Sequence, residues 1–303
     1  MGLKLRIIIN PSSGRETSLS DLDNILLHLS SSGILERSDI CYTAGQFDAM
    51  NFAMETKASD YDAVVAMGGD GTVNEVVTGL MRGGVDIPLA IYTAGTVNDF
   101  ATINNLPHVP ADFARMLARP NYVRTDCGKV NDRYFLNVVA GGLMTDVAYK
   151  VSSDFKTAIG PAAYWIAAMK DLPTLNRAIP ITLKANGNTY DEEAIMFMVG
   201  NTKSVGGFRN LMSKADITDG LLDVLVVRKM DPVDVVPLLG SLVLGDHINN
   251  DNVLYFQTDS LTLESRESVV LDIDGEEGPS LPANISCIKE AINLIVPAKE
   301  EPL

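Results

Sequence analysis

Residues Val64 to Leu80 read VVAMGGDGTVNEVVTGL, and no other stretch restricts the fold of this chain as much. The apolar run Ala63–Met67 has no polar alternation, which suits a strand covered on both faces, as in a parallel sheet. Gly68, Gly69 and Gly71 follow at once with Asp70 among them, and Thr72–Met81 then shows helical spacing. A buried strand that turns tightly into a helix is the building unit of an α/β sheet. Three glycines in four residues let the backbone take positive φ and come close to a ligand.

The same rhythm runs through the first third of the chain. Lys4–Asn10 is an Ile-rich strand, and Leu19 to about Leu29 is a helix with Leu22, Ile25, Leu26 and Leu29 on one face. Ser20 with Asp23 three residues later resembles a capping box. Asp39–Thr43 is a short strand, Gln46–Ala58 a helix, Pro88–Tyr92 a strand and Ala111–Ala118 a helix. Such alternation predicts right-handed crossovers and a doubly wound parallel sheet, with ligands at the carboxyl ends of its strands. NPSSG (Asn10–Gly14), MGGDGT and YTAGTVND each follow a predicted strand, so the three loops share one edge.

Near Cys127 the pattern becomes antiparallel. Val123–Val130 and Arg133–Val139 flank an Asn131-Asp132 turn, and Ile179–Ala185 and Ala194–Val199 flank Asn186-Gly187, a hairpin signal. Leu221–Val227, Val253–Gln257, Ser260–Glu264, Val269–Ile273, Asn284–Ile288 and Ile292–Val296 continue as strands, interrupted by helical stretches near Pro161–Leu172 and Pro232–Val243. The expected architecture is a doubly wound α/β domain over residues 1–127 and an antiparallel β-sandwich over 128–297. A frayed tail, 298–303, completes the chain.

Composition narrows the function. A net charge of −15 over 303 residues argues against nonspecific nucleic-acid binding. Cys41, Cys127 and Cys287 are scattered and fit a reducing cytoplasm, with no disulfide framework or metal spacing. Val233–Gly245 is broken by Pro237 and Gly240 and is too short to span a bilayer, and no secretory signal precedes the first strand. Charge is uneven: residues 1–144 carry −5, residues 216–303 carry −12, and residues 145–215 carry +2. That middle segment holds Lys150, Lys156, Lys170, Arg177, Lys203, Arg209 and Lys214, together with AAYWIAAM and the single tryptophan, Trp165. It suits transient docking on an anionic lipid surface, or equally a solvated face beside an ordinary helix core.

The chemistry of the glycine knot has two readings. A helix starting near Thr72 points N–H groups and its positive dipole end at the loop, which favours a phosphate. Asp70 would repel a bare phosphate, so it implies Mg²⁺ or a hydroxyl in between, or an acid that orients a reacting group. Alternatively this is a tight turn with Asp70 as N-cap. It is neither a Walker loop, lacking Gly-Lys-Ser/Thr, nor the dinucleotide fingerprint, since Asn74 takes the sixth place. In Ala94–Ala101, Thr96 could hold a phosphate oxygen, and Asn98 and Asp99 a ribose or substrate hydroxyl.

NPSSG, GGDGTVNEVVTGL, GTVNDFA, DGLLDV and DGE stand in the order found in the diacylglycerol kinase catalytic family. The chain resembles that family's soluble bacterial lipid kinases, relatives of sphingosine and ceramide kinases, over essentially its whole length. GGDGT alone also occurs in NAD kinases and phosphofructokinases, but the later Gly-Ser-Thr-Ala-Tyr string of NAD kinases is absent. The resemblance implies that ATP is bound by Asn10, Pro11, Ser12, Ser13, Gly14, Thr43, Gly68, Gly69, Asp70, Gly71, Thr72, Val73, Asn74 and Thr96. It implies that Asp70 sits by the phosphates and Mg²⁺ and that Glu276 accepts the proton of the attacking alcohol. It implies a second Mg²⁺ at Asp216, Asp219 and Leu221, with main-chain oxygens and the Asp219 carboxylate as ligands. Two departures stand out: Thr93-Ala94-Gly95-Thr96 replaces the usual Pro-Leu-Gly-Thr, and Ser213 replaces the proline before Lys214-Ala215.

The expectation is an ATP- and Mg²⁺-dependent lipid kinase acting on a neutral lipid hydroxyl, with diacylglycerol converted to phosphatidic acid. It would be cytoplasmic and in transient peripheral contact with the inner face of the membrane; a homodimer is a family-level expectation. The alternatives are an NAD kinase or other small-molecule kinase, and a nucleotide- or lipid-binding protein without turnover.

Overall fold

The structure is a computed structural model that describes residues 2–13, 17–93, 95, 98–142, 177–206, 208 and 210–298. The chain forms two compact units, one of residues up to Thr125 with the chain from Glu290 onward, the other Asp126–Lys289. The expected helix near Pro161–Leu172, with Trp165, lies outside the described residues, as do Gly14, Thr96 and the last five residues.

The first unit contains β1 (Leu3–Ile9), α1 (Thr17–Ser31), β2 (Leu35–Tyr42), α2 (Asp48–Met54), β3 (Ala63–Gly68), α3 (Asp70–Gly83), β4 (Leu89–Thr93), α4 (Asp99–Ile103) and α5 (Pro110–Ala118). The strands run parallel in the order β4-β3-β1-β2. Leu5, Ile7 and Ile9 pack with Leu22, Ile25 and Leu29 of α1 and with Phe113, Met116 and Leu117 of α5. Ile8, Val64 and Ala66, at the alternate positions, are equally buried and serve the opposite face, where α2 and α3 lie against β1 and β3. Two covered faces are why these strands read as unbroken apolar runs.

Several boundaries differ from the sequence reading. α1 begins at Thr17, so Ser20 and Asp23 lie inside the helix and form no capping box. α2 is shorter than Gln46–Ala58 because Glu55 already serves as its C-cap and the Thr56 hydroxyl donates to Phe52 O at 2.9 Å. β2 is longer than expected because parallel pairing with β1 starts at Leu35. α3 begins at Asp70 with Gly69 as N-cap, so Asp70 is a first-turn residue and not the cap.

The second unit is antiparallel. Through it run β5 (Asn121–Val130), β6 (Arg133–Phe135), β7 (Val138–Gly142), β8 (Ile179–Ala185), β9 (Asn188–Gly200), β10 (Leu222–Arg228), α6 (Pro232–Leu244), β11 (Val253–Thr258), β12 (Ser260–Ser265), β13 (Val270–Ile273), β14 (Glu276–Ser280) and β15 (Ala283–Val296). The pairing runs β14-β13-β7-β9-β8-β12-β15, with β10 on β9 and β11 on β10. β5 and β15 both continue into the first unit, where Leu294 pairs with Leu89. One sheet face closes on itself around Phe135, Val139, Leu183, Phe197, Val224 and Leu263. The other is covered by Val235, Leu238 and Leu242 of α6.

Asn186 and Gly187 both take positive φ (53° and 74°), the backbone of the expected tight hairpin. Arg133–Val139, expected as one strand, is split into β6 and β7 at Leu136-Asn137. Asn284–Ile288 and Ile292–Val296, expected separately, are one strand with Glu290 at φ 53° inside it. Glu276–Ser280, not foreseen as a strand, is β14.

Gly79 shows how tightly the layers meet. A Cβ there would sit 2.2 Å from Met50 O and 2.8 Å from Ala53 Cβ on α2. Helix propensity alone predicts that Gly79→Ala stabilises by about 1 kcal/mol. Packing reverses the sign: the variant is expected to lose about 3 kcal/mol or more in urea unfolding. Gly45→Ala, with nothing within 4 Å of its Cβ, should unfold like the parent. A stabilised Gly79→Ala would refute this account of the α2–α3 contact.

Candidate active site

In the first unit the three loops meet the sheet at its carboxyl edge. Asn10 N–H donates to Met67 O at 2.9 Å and Thr43 N–H to Ile9 O at 2.9 Å, so both stand one step beyond their strands. The Asn10 side chain is engaged in shaping its own loop. Its Oδ1 accepts from Ser12 N–H (3.0 Å) and Ser12 Oγ (2.7 Å), and its Nδ2 donates to Thr72 Oγ1 at 3.3 Å. Ser13 Oγ donates to Asn10 O at 2.8 Å.

Gly68 and Gly69 bring β3 into α3. A Cβ on Gly68 would lie 2.6 Å from both Cβ and Oγ1 of Thr72, so the first turn of the helix folds back only over a bare backbone. A Cβ on Gly95 would lie 2.9 Å from Gly69 Cα. The two glycine loops therefore abut backbone to backbone, and the N-cap of the helix, Gly69, makes no side-chain cap bond. This leaves a cradle that suits a phosphate. The Asp70 carboxylate bridges the loops, since its Oδ2 accepts from Asn98 N–H at 3.0 Å. Asn98 is left-handed (φ 53°) and donates from Nδ2 to Gly95 O at 2.7 Å. Its buried Oδ1 has no hydrogen-bond partner among the described residues. Val73 contributes differently from its neighbours: its side chain is core and its N–H donates to Gly69 O at 3.1 Å. Asn74 Oδ1 accepts from the Thr78 hydroxyl at 3.4 Å.

The other expected site residues belong to the second unit. Asp274 (φ 51°) and Gly275 (φ 89°) form the mirror-image turn between β13 and β14. The Asp274 carboxylate accepts three main-chain N–H groups, from Leu136 (2.8 Å), Asn137 (2.9 Å) and Val138 (2.9 Å). Those bonds explain the break between β6 and β7. Glu276 opens β14 opposite Ile273 and is half exposed. Arg133 holds it, with Nη2 3.3 Å from Glu276 Oε2 and Nη1 donating to Glu277 O at 2.5 Å. Sequence reasoning missed Arg133 as the partner of Glu276 and Asp274 as the anchor of the Leu136–Val138 main chain; for the latter, the Asp-Gly dipeptide at a hairpin turn was the available signal.

Asp216, Asp219 and Leu221 come together in one loop. Asp216 Oδ1 accepts from Thr218 N–H (2.9 Å) and Oγ (2.7 Å), and Asp219 Oδ1 from Leu221 N–H (2.9 Å). Gly220 (φ 79°) turns its N–H to Asp126 Oδ2 at 2.6 Å, and Asp126 is wholly buried. Burial raises the Asp219 carboxyl above its ordinary range, and the charges of Asp216 and Asp126 raise it further. Crowded carboxylates with main-chain oxygens fit a hard divalent cation such as Mg²⁺. Among the described residues no three His, Cys, Asp or Glu side chains form a metal-holding group, so a cation here would draw on main-chain oxygens, as the family pattern implies. Asp126 was not foreseen, because it lies some ninety residues away from the loop in sequence.

Beside this loop, burial pushes the Asp223 carboxyl up to about 6 from 3.8, against hydrogen bonds from Tyr255 Oη and Gln257 Nε2. A folded pKa above the unfolded one gives stability present below the unfolded value and lost as pH rises through the folded value. Ionised Asp223 therefore weakens the fold at neutral pH. Asp223→Asn keeps an acceptor for Tyr255, and its stability gain over the parent should grow from about pH 4 to about pH 6, so that it is larger at pH 7.5 than at pH 5, reaching on the order of 1–3 kcal/mol. Urea unfolding at the two pH values checks this, and an equal gain at both would overturn it.

The sequence matches the diacylglycerol kinase catalytic domain over residues 4–130 and the YegS C-terminal NAD kinase beta sandwich-like domain over residues 137–296. It is 33% identical over 297 residues to a diacylglycerol kinase of Staphylococcus carnosus, covering 98% of this chain and 96% of that one. It is 33% identical over 292 residues to a diacylglycerol kinase of Staphylococcus haemolyticus, covering 96% and 88%. The crystal structure of a diacylglycerol kinase from Bacillus anthracis str. Sterne superposes with a TM-score of 0.81 at 27% identity, covering 97% and 96% of the two chains. With both domain types, their order and nearly full-length relatives in agreement, the chain belongs to the diacylglycerol kinase family.

Proposed function

We propose that this kinase transfers the γ-phosphate of ATP, with Mg²⁺, to the hydroxyl of a neutral lipid, converting diacylglycerol to phosphatidic acid. The observation that carries the reading is the Asp70 carboxylate, tied to Asn98 N–H between two glycine loops that meet without side chains. That geometry suits a polyphosphate approached closely by backbone. Mg²⁺, when bound, would neutralise phosphate charge and help bring the γ-phosphorus in line with the incoming oxygen.

The chain's own residues supply the rest. The N–H groups of the Gly68–Thr72 turn bind phosphate oxygens, and Asp70 orients the reacting groups. Glu276 accepts the proton of the lipid hydroxyl as its oxygen bonds to phosphorus and the bond to ADP breaks. The Asp216–Leu221 loop would hold a second, structural Mg²⁺. Relatives that carry the name diacylglycerol kinase support diacylglycerol as substrate. Among the described residues no helix is long and apolar enough to cross a membrane, and the reading places the enzyme in transient contact with the inner membrane face.

A second reading, a kinase for NAD or another small alcohol, is favoured by the NAD kinase-like sandwich of the C-terminal domain. Radiolabelled ATP offered with dispersed diacylglycerol, phosphatidylglycerol, sphingosine or NAD separates the two; label in NAD but in no lipid would reverse the proposal. Asp70→Asn and Glu276→Gln should each lower turnover at least about a hundredfold while unfolding like the parent. Parental rates in both variants would refute the assigned roles.

A further inference from the structure

We infer that Phe47 is the platform on which the nucleobase stacks at the carboxyl edge of the first unit's sheet, an inference that rests on the nucleotide reading above. Phe47 sits at φ 68°, in the left-handed region. Seven non-glycine residues among those described have positive φ, and five of them are Asn or Asp, whose short polar side chains tolerate it. Of the remaining two, Glu290 lies inside β15, where the chain passes from one unit to the other. Phe47 has no such topological reason.

A bulky side chain in this region costs free energy, and such strain persists where the surroundings or the function hold it. Burial does not repay it here, because the residue is 50% exposed. The surroundings hold the backbone instead. Phe47 N–H donates to Glu75 Oε1 at 2.9 Å, and Phe47 O accepts the first bond of α2, from Asn51 N–H, at 3.0 Å. The preceding turn is held by Asp48 Oδ2, which accepts from Ala44 N–H and Gly45 N–H, both at 2.8 Å. The result is a rigid turn that displays an aromatic ring to solvent.

Its place points to the ligand. Phe47 follows Thr43 by four residues, and Thr43 extends β2 beside the end of β1. Glu75 lies five residues along α3 from Asp70, roughly 7–8 Å up the helix axis. A nucleotide with its phosphates at the first turn of α3 needs to place its base at that kind of distance. A flat, half-exposed ring on a held backbone can receive a flat heteroaromatic face, and stacking of this kind tolerates any base.

The test is calorimetric titration of the full chain with Mg-ATP and, separately, with Mg-tripolyphosphate, which has the phosphates but no base. Phe47→Gly removes the ring and relieves the strain, so it should melt a few degrees higher than the parent. It should bind ATP about tenfold more weakly and tripolyphosphate unchanged, while Phe47→Tyr keeps the parental ATP affinity. Equal ATP affinity in Phe47→Gly overturns the inference. So does equal weakening toward both ligands. If the parent binds neither ligand, the nucleotide reading itself fails and the inference falls with it.

Discussion

The carboxyl edge of the first unit rests on a contact made of missing side chains. Thr72 can fold over the end of β3 only because Gly68 offers no Cβ, and the second loop can come this close to Gly69 only because Gly95 offers none. Once these loops touch, Asp70 can span them to Asn98 N–H. The close approach is fixed by sterics and the bridge by a charge-assisted hydrogen bond, so each enforces the other. A side chain at Gly95 would separate the loops and withdraw the partner that fixes the Asp70 rotamer.

Acids in the second unit follow a different logic. Residues 216–303 carry a charge of −12, which reads at first as a solvated surface. Yet Asp274 within that stretch gathers three main-chain N–H groups, and Asp126, outside it but in the same unit, receives Gly220 N–H in a wholly buried position. These carboxylates replace strand pairing where the ladder is interrupted, which satisfies N–H groups that would otherwise be orphaned. Glu276, two residues after Asp274, differs in place: it is half exposed and paired with Arg133. The same side-chain chemistry is a buried backbone anchor in one place and a half-exposed ion-pair partner in the other, according to the donors that surround it.

Much of this was legible in the sequence because it is local. Apolar Ala63–Met67 announced a doubly covered strand, and Asn186-Gly187 announced its turn through two left-handed residues. What stayed hidden depends on distance along the chain. Arg133 pairs with Glu276, and Asp126 with Gly220, across long sequence separations that no periodicity encodes. The split between β6 and β7 was hidden for the same reason, since its cause is Asp274. Ser20 and Asp23 misled because a capping pattern is a local fit, while α1 already starts at Thr17.

Phe47 and Asn98 mark where local preference was overruled. Both take the left-handed conformation one residue before a helix, yet only Asn98 has a side chain suited to it. Asn98 closes on Gly95 O with its own amide, so its geometry stabilises the loop that carries it. Phe47 makes no comparable return, since its ring is half in solvent and its backbone is held by Glu75 from another helix. A fold optimised for stability alone would place glycine or asparagine at both positions. That it does so only at Asn98 separates a residue that builds the edge from one that the edge is built to present.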